Sequence, residues 1–165
     1  MTLPQMCLCF LTRRSLEGRQ EVLLGRKLRG LGQGNIVGLG GKIEAGETAR
    51  SAAIRESLEE AGVVLTAEHV LQRAFITFRF PTKPDWDQEA TVFVTESWDG
   101  EPISTAEIIP RWYRRDAIPF DQMWQDARHW LPRVLDGEDL RAHFTFRDDL
   151  RTLDSWQVER RKPAG

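Results

Sequence analysis

Arg55, Glu56, Glu59 and Glu60 place three carboxylates and a guanidinium within six residues of a segment whose alanine, leucine, arginine and glutamate content favours a helix. At about 100° per residue, with Ile54 set at zero, Leu58 falls near 40° and Ala61 near −20°, an apolar stripe expected to face a core. Glu59, Glu56 and Glu60 fall near 140°, 200° and 240° in that frame, on the opposite face. Only Ala49, Ala52 and Ala53 accompany them toward the N-terminus, so the acids are expected to border open space. Like charges three and four residues apart disfavour a helix unless a cation offsets them. Arg55, near 100° on the same wheel, reaches only part of the cluster. Mg²⁺ suits the remainder, because it accepts a few carboxylates, keeps several waters and takes phosphate oxygens as further ligands. A solvated helix face is the competing reading of R-E-x-x-E-E. Gly40-Gly41-Lys42 just upstream favours the metal, since exposed backbone groups and a lysine there would meet phosphates held by that ion. Gly41-Lys42 lacks the preceding glycine and the following Ser/Thr of a P-loop, and no G-x-G-x-x-G occurs.

The helix that carries these acids is expected over 48–61, with Thr48 as N-cap and Gly62 as its stop. Before it, apolar runs at 6–11 and 21–25 read as strands joined by a long polar loop at 12–20. The stretch 30–41 carries six glycines and reads as a tightly folded loop whose backbone is closely approached. Runs at 74–80 and 90–94 read as paired strands, with Pro81 and Pro84 in the turn between them. A second helix is expected over 126–135, with Trp130, Leu131, Val134 and Leu135 on one side and Pro132 acceptable only in its first turn. Alternating Leu140, Ala142, Phe144 and Phe146 form a final strand, and 159–165 is read as a short basic tail.

The 165 residues, read as one domain over 1–165, are 41% hydrophobic and 29% charged with a net charge of −2. That balance lacks the basic excess of a nucleic-acid-binding surface, so no polymeric nucleic acid is expected as a partner. No apolar run approaches the roughly 18 residues of a membrane span, and residues 1–5 lack the charged and apolar regions of a leader. A soluble, cytoplasmic protein with no membrane partner is expected. Cys7 and Cys9 alternate within an apolar run and read as two buried thiols on one strand face rather than as a metal site. Oligomeric state is not legible here.

The stretch from Gly41 through Glu47 to Arg55-Glu56-Ser57-Leu58-Glu59-Glu60-Ala61-Gly62-Val63 resembles the Nudix box, G-x5-E-x7-R-E-U-x-E-E-x-G-U with U aliphatic. Every charged and glycine position matches, and the single departure is Ser57 at an aliphatic position. The resemblance implies the Nudix fold, an α/β/α sandwich around a mixed sheet. It implies Mg²⁺, with Mn²⁺ as the alternative, bound by Glu56, Glu59 and Glu60 with the Gly40 carbonyl as a further ligand. Glu47 would pair with Arg55 to hold the catalytic glutamates, and Lys42 would lie near phosphate.

From about 7 to 158 the chain further resembles the MutT-like members of that family that hydrolyse oxidised purine nucleoside triphosphates. Shared wording includes Val22-Leu23-Leu24-Gly25, Gly38-Leu39-Gly40-Gly41-Lys42, Ile118-Pro119-Phe120 and Met123-Trp124. On that likeness Glu107 is a further metal ligand or water-activating base, Lys27 lines the nucleotide pocket, Phe78 walls it and Trp124 stacks on the base. Asp126 matches one of two neighbouring aspartates that read the purine edge, but Ala127 stands in place of the second and Val37 in place of a base-contacting asparagine. Two hydrogen-bonding side chains are therefore missing, and broader base specificity is expected. The implied reaction is Mg²⁺-dependent hydrolysis of a nucleoside triphosphate, such as 8-oxo-dGTP, to the monophosphate and pyrophosphate, serving nucleotide-pool sanitation. The alternatives are a Nudix pyrophosphatase acting on a dinucleotide or nucleotide sugar, and a nucleotide-binding regulator without turnover.

Overall fold

The computed structural model describes residues 2–161. Strand β1 (Gln5–Arg14) outruns its apolar core and turns back at 15–19 into β2 (Gln20–Lys27), so both ends of the segment expected as a loop, 12–14 and Gln20, are paired strand. The polar end of this hairpin is held in water: Arg13 Nε donates to Glu21 Oε1 at 2.9 Å, and its guanidinium lies 3.9 Å from the centre of the Trp112 ring. Such a segment has no face to bury and therefore shows no apolar alternation.

Within the glycine-rich stretch, two further short strands form, β3 (Ile36–Val37) and β4 (Leu39–Lys42). What approaches this backbone is the protein itself. A side chain on Gly38 would meet the Phe10 ring at 2.6 Å, and one on Gly40 would run into the Cys7 carbonyl. Close packing of β4 against β1 (Met6↔Lys42 to Cys9↔Leu39) is thus the reason for these two glycines.

Helix α1 (Ala49–Ala61) begins and ends where the sequence expects. Thr48 Oγ1 accepts from Ser51 N at 3.0 Å, Ser51 Oγ accepts in turn from Thr48 N, and Gly62 closes the helix at φ 71° with its N–H on the Leu58 carbonyl. The remaining elements are β5 (Val64–Leu65), β6 (Leu71–Arg79), β7 (Gln88–Thr95), β8 (Trp98–Asp99), β9 (Ile108–Arg114), α2 (Ala127–Leu135), β10 (Leu140–Phe146) and β11 (Leu153–Arg160). The main sheet runs β11-β10-β6-β7-β1-β2-β3, with β4 on the first half of β1 and β9 on β2, while β5 and β8 pair separately. Both β1–β7 and β10–β6 are parallel, so the sheet is mixed.

β1 is covered on both faces, which explains its continuous apolar run. Cys7, Cys9 and Leu11 join Leu23, Leu39, Phe93 and Ile108 beneath α1, while Phe10 joins Val22, Ala90, Val92 and the α2 residues Trp130, Leu131 and Val134 on the other side. The expected α/β/α layering follows. Both cysteines are fully buried and free, and burial pushes their thiols up to about 11 and about 12.

Three expectations are corrected. Pro132 is the sixth residue of α2, outside its first turn; Arg115 donates at 3.4 and 3.3 Å to the carbonyls of Pro132, which also accepts from Asp136 N, and of Leu135, so the last turn of the helix is tied from outside. β11 takes in Glu159 and Arg160, the first residues of the expected tail, and pairs along β10; 162–165 lie outside the described residues. Finally, α1 turns a different face to the sheet. Ala52, Ala53, Glu56, Ser57 and Glu60 are buried, and Leu58 is 52% exposed. A helical wheel shows which residues share a face, not which face docks. Here small residues and two acids dock against the glycines of β4.

Candidate functional site

The acid cluster is assembled by α1, β4 and the loop before β9. Glu56 and Glu60, one turn apart, are 9% and 6% exposed, and each can offer a carboxylate oxygen within 4.8 Å of one from Glu107. Gly40 N donates to Glu60 Oε1 at 2.7 Å. At Gly41 a Cβ would lie 2.6 Å from Glu56 Oε1, so only glycine lets this strand run so close to the acid. Thr105 ties the two halves together: its hydroxyl donates to the Glu60 carbonyl at 2.8 Å and accepts from Glu107 N at 3.2 Å. Arg29, on the glycine loop, reaches Glu107 Oε1 at 3.0 Å. Neither Thr105 nor Arg29 belongs to a spaced motif, so sequence reasoning misses both.

Glu59 stands apart. Its side chain is half exposed and bonds Arg55 Nη1 at 3.2 Å. Arg55 is the hub of this outer network: it forms two hydrogen bonds to Glu47 at 2.7 and 2.8 Å, one to Glu56 at 2.9 Å, and one to the Lys42 carbonyl at 3.1 Å. These hydrogen bonds hold the Glu47 carboxyl at about 2. Burial does the reverse to the inner acids. It raises the Glu56 carboxyl, Arg55 and its hydrogen bond opposing, and lifts Glu60 to about 7, with Glu56 and Glu107 adding repulsion. Three converging, partly desolvated carboxylates, met only in part by the Gly40 N–H, by Arg55 at Glu56 and by the exposed Arg29 at Glu107, fit a hard divalent cation, which removes the repulsion and takes oxygen ligands.

A cavity opens beside Glu60, lined among others by Lys27, Val37, Gly40, Phe78, Trp124 and Asp126. With Glu60 itself, the cavity therefore brings together seven of the residues named from sequence as metal-binding or substrate-binding. Lys42 is not among the lining residues, and its side chain is exposed. Phe80, Trp86 and Phe146 cross the Trp124 ring at 72°, 89° and 77°, so none of these rings is stacked on its face. Trp130 Nε1 donates to Asp126 Oδ2 at 2.7 Å, while Asp126 Oδ1 is buried with no partner among the described residues.

Burial pushes the Asp126 carboxyl from its usual 3.8 up to about 6, against the opposing Trp130 hydrogen bond. A raised carboxyl of this kind contributes most to stability below its unfolded value, and the contribution falls away as pH climbs through the interval to the folded value. Asp126→Asn does not ionise, so its thermal stability relative to wild type is expected to rise between about pH 4 and pH 6.5 and then level off. Thermal unfolding of both proteins across that range checks it; a pH-independent difference would mean that Asp126 does not titrate in the folded chain.

Comparison with known proteins places these observations. Residues 7–134 match the model of the NUDIX domain. The chain is 36% identical over 144 residues to the oxidized purine nucleoside triphosphate hydrolase of Mus musculus, covering 83% of this chain and 90% of that one. It is 38% identical over 126 residues to the protein of the same name from Danio rerio, covering 76% and 79%. In three dimensions it resembles the crystal structure of a mutator MutT protein from Bacillus halodurans, with a TM-score of 0.77 over 95% of this chain and 98% of that one, at 22% identity.

Proposed function

Because the chain belongs to the NUDIX domain family, we propose that it hydrolyses a purine nucleoside triphosphate, in oxidised forms such as 8-oxo-dGTP, to the monophosphate and pyrophosphate with Mg²⁺. The observation that carries this reading is the union of a buried acid cluster and an apolar, tryptophan-walled cavity at Glu60. Glu56, Glu60 and Glu107 would hold the cation, with Glu59 and the Gly40 carbonyl as further ligands that the resemblance supplies. When bound, Mg²⁺, or Mn²⁺ in its place, neutralises phosphate charge and lowers the pKa of water.

The residues do the rest. Glu47 and the backbone of Lys42 fix Arg55, which steadies Glu56 and Glu59 from the outer side. Lys27, which lines the cavity near Glu60, would meet the phosphate chain, with Lys42 as a further cation that the resemblance supplies. Within the inner set, Glu107 would be either a further ligand or the base that takes the proton from water. Phe78 and Trp124 wall the base, and Asp126 offers Oδ1 to its edge. The serving role would be sanitation of the nucleotide pool in the cytoplasm.

The test is a substrate panel of normal, oxidised and methylated purine triphosphates, diadenosine polyphosphates and ADP-ribose, run on wild type and Trp124→Ala. Stacking is indifferent to which base supplies the π-face, so Trp124→Ala is expected to raise KM for every accepted triphosphate by a similar factor of about 5 to 10, near the low end of stacking energies. No effect on any of them would place the base elsewhere, and preferential turnover of a dinucleotide or of ADP-ribose would reassign the substrate class.

A further inference from the structure

Gln88 opens β7, pairs in register with Phe78 of β6, and lines the cavity beside it. Strand alternation puts it on the face of Ala90 and Val92, both buried on the α2 side. Its neighbours are engaged: Asp87 accepts from Phe80 N and Arg79, and Glu89 accepts from Gln5 and Thr77. The Gln88 carboxamide has no hydrogen-bond partner among the described residues, although it brings two donors and an acceptor. Asp126, on the same cavity, is 3% exposed and likewise has Oδ1 unpaired. Two unspent polar groups thus meet a cavity lined mainly by apolar side chains, and a ligand that closed over them without offering partners would bind more weakly for it.

We propose that Gln88 is a specificity-determining residue that reads the edge of the bound base together with Asp126. This rests on the cavity being the nucleotide site. Asp126 Oδ1 accepts from a ring N–H or an amino group; Gln88 gives N–H to a carbonyl or ring nitrogen and its oxygen to a neighbouring donor. The favoured class is a purine whose edge carries a donor and an acceptor side by side, as the lactam of an oxopurine does. The hydrogen bonds absent at Val37 and Ala127 are then partly replaced from β7, and discrimination is sharper than those two positions imply.

Dissociation constants for non-hydrolysable α,β-methylene triphosphates of guanine, 8-oxoguanine, 2,6-diaminopurine and unsubstituted purine provide the test, in wild type, Gln88→Met and Gln88→Glu. Wild type is expected to favour the oxopurines over unsubstituted purine by at least about 10-fold, and Gln88→Met, similar in shape but without those donors, to shrink that ratio about 10-fold. Gln88→Glu keeps acceptors but loses the amide donor, and is expected to lose affinity for carbonyl-bearing edges relative to 2,6-diaminopurine. A change of equal size for every base, or no change, in both variants overturns the proposal, since a structural role alone moves all bases together. If wild type binds none of these nucleotides, the nucleotide reading of the cavity fails and this proposal falls with it.

Discussion

Glu56→Gln and Glu60→Gln are each expected to lower kcat by at least about 100-fold while the fold persists. Both acids sit on the sheet-facing side of α1, where glutamine fills the same volume and its oxygen still accepts from Gly40 N at position 60. What is lost is a charged ligand. Because burial raises both carboxyls, removing either charge relieves repulsion, and metal-free stability at pH 7 is expected to hold or rise. Turnover with Mg²⁺ read beside metal-free thermal unfolding separates the two effects. Near-normal kcat in both variants would remove the inner acids from the chemistry.

Glu47→Gln is expected to weaken apparent Mg²⁺ affinity by 10- to 100-fold and to recover much of its activity at excess Mg²⁺. Glu47 touches none of the inner acids; it holds Arg55 through two short hydrogen bonds and is itself oriented by Glu44 N at 2.9 Å. Without that carboxylate, Arg55 is left to Glu56 and Glu59 and competes with the cation for them. Mg²⁺ titrations of activity, paired with Mn²⁺ binding followed by electron paramagnetic resonance, check the point. A loss that no metal concentration improves would mean that Glu47 acts otherwise than through Arg55.

The helix was legible in detail because its limits are local chemistry: Thr48, Ser51 and Gly62 act on backbone groups a few residues away. Its docking face was not, because that depends on β4, where Gly40 and Gly41 let Glu56 and Glu60 come in and leave Leu58 outside. β11 escaped for the opposite reason. It is an edge strand with most of its side chains in water, so Leu153 is its one buried residue and no alternation marks it. Glu56, Glu59 and Glu60 are legible from helical spacing alone, whereas Lys27, Phe78, Trp124 and Asp126 come with the resemblance, and the cavity gathers those four. Only the fold brings Arg29 to Glu107 and Thr105 to the Glu60 carbonyl, and both lie on loops beyond the reach of periodicity. Gln88 did carry a signal, a polar side chain on the inward beat of Gln88, Ala90 and Val92, but assigning that beat requires knowing that α2 covers that face.

The most direct measurement is the phosphorus NMR spectrum of the products formed from 8-oxo-dGTP with Mg²⁺. Cleavage between the α- and β-phosphates is expected, giving nucleoside monophosphate and pyrophosphate in equal amounts, with no turnover once the metal is chelated. Release of inorganic phosphate and a nucleoside diphosphate, or turnover that survives chelation, would contradict the assignment of this site.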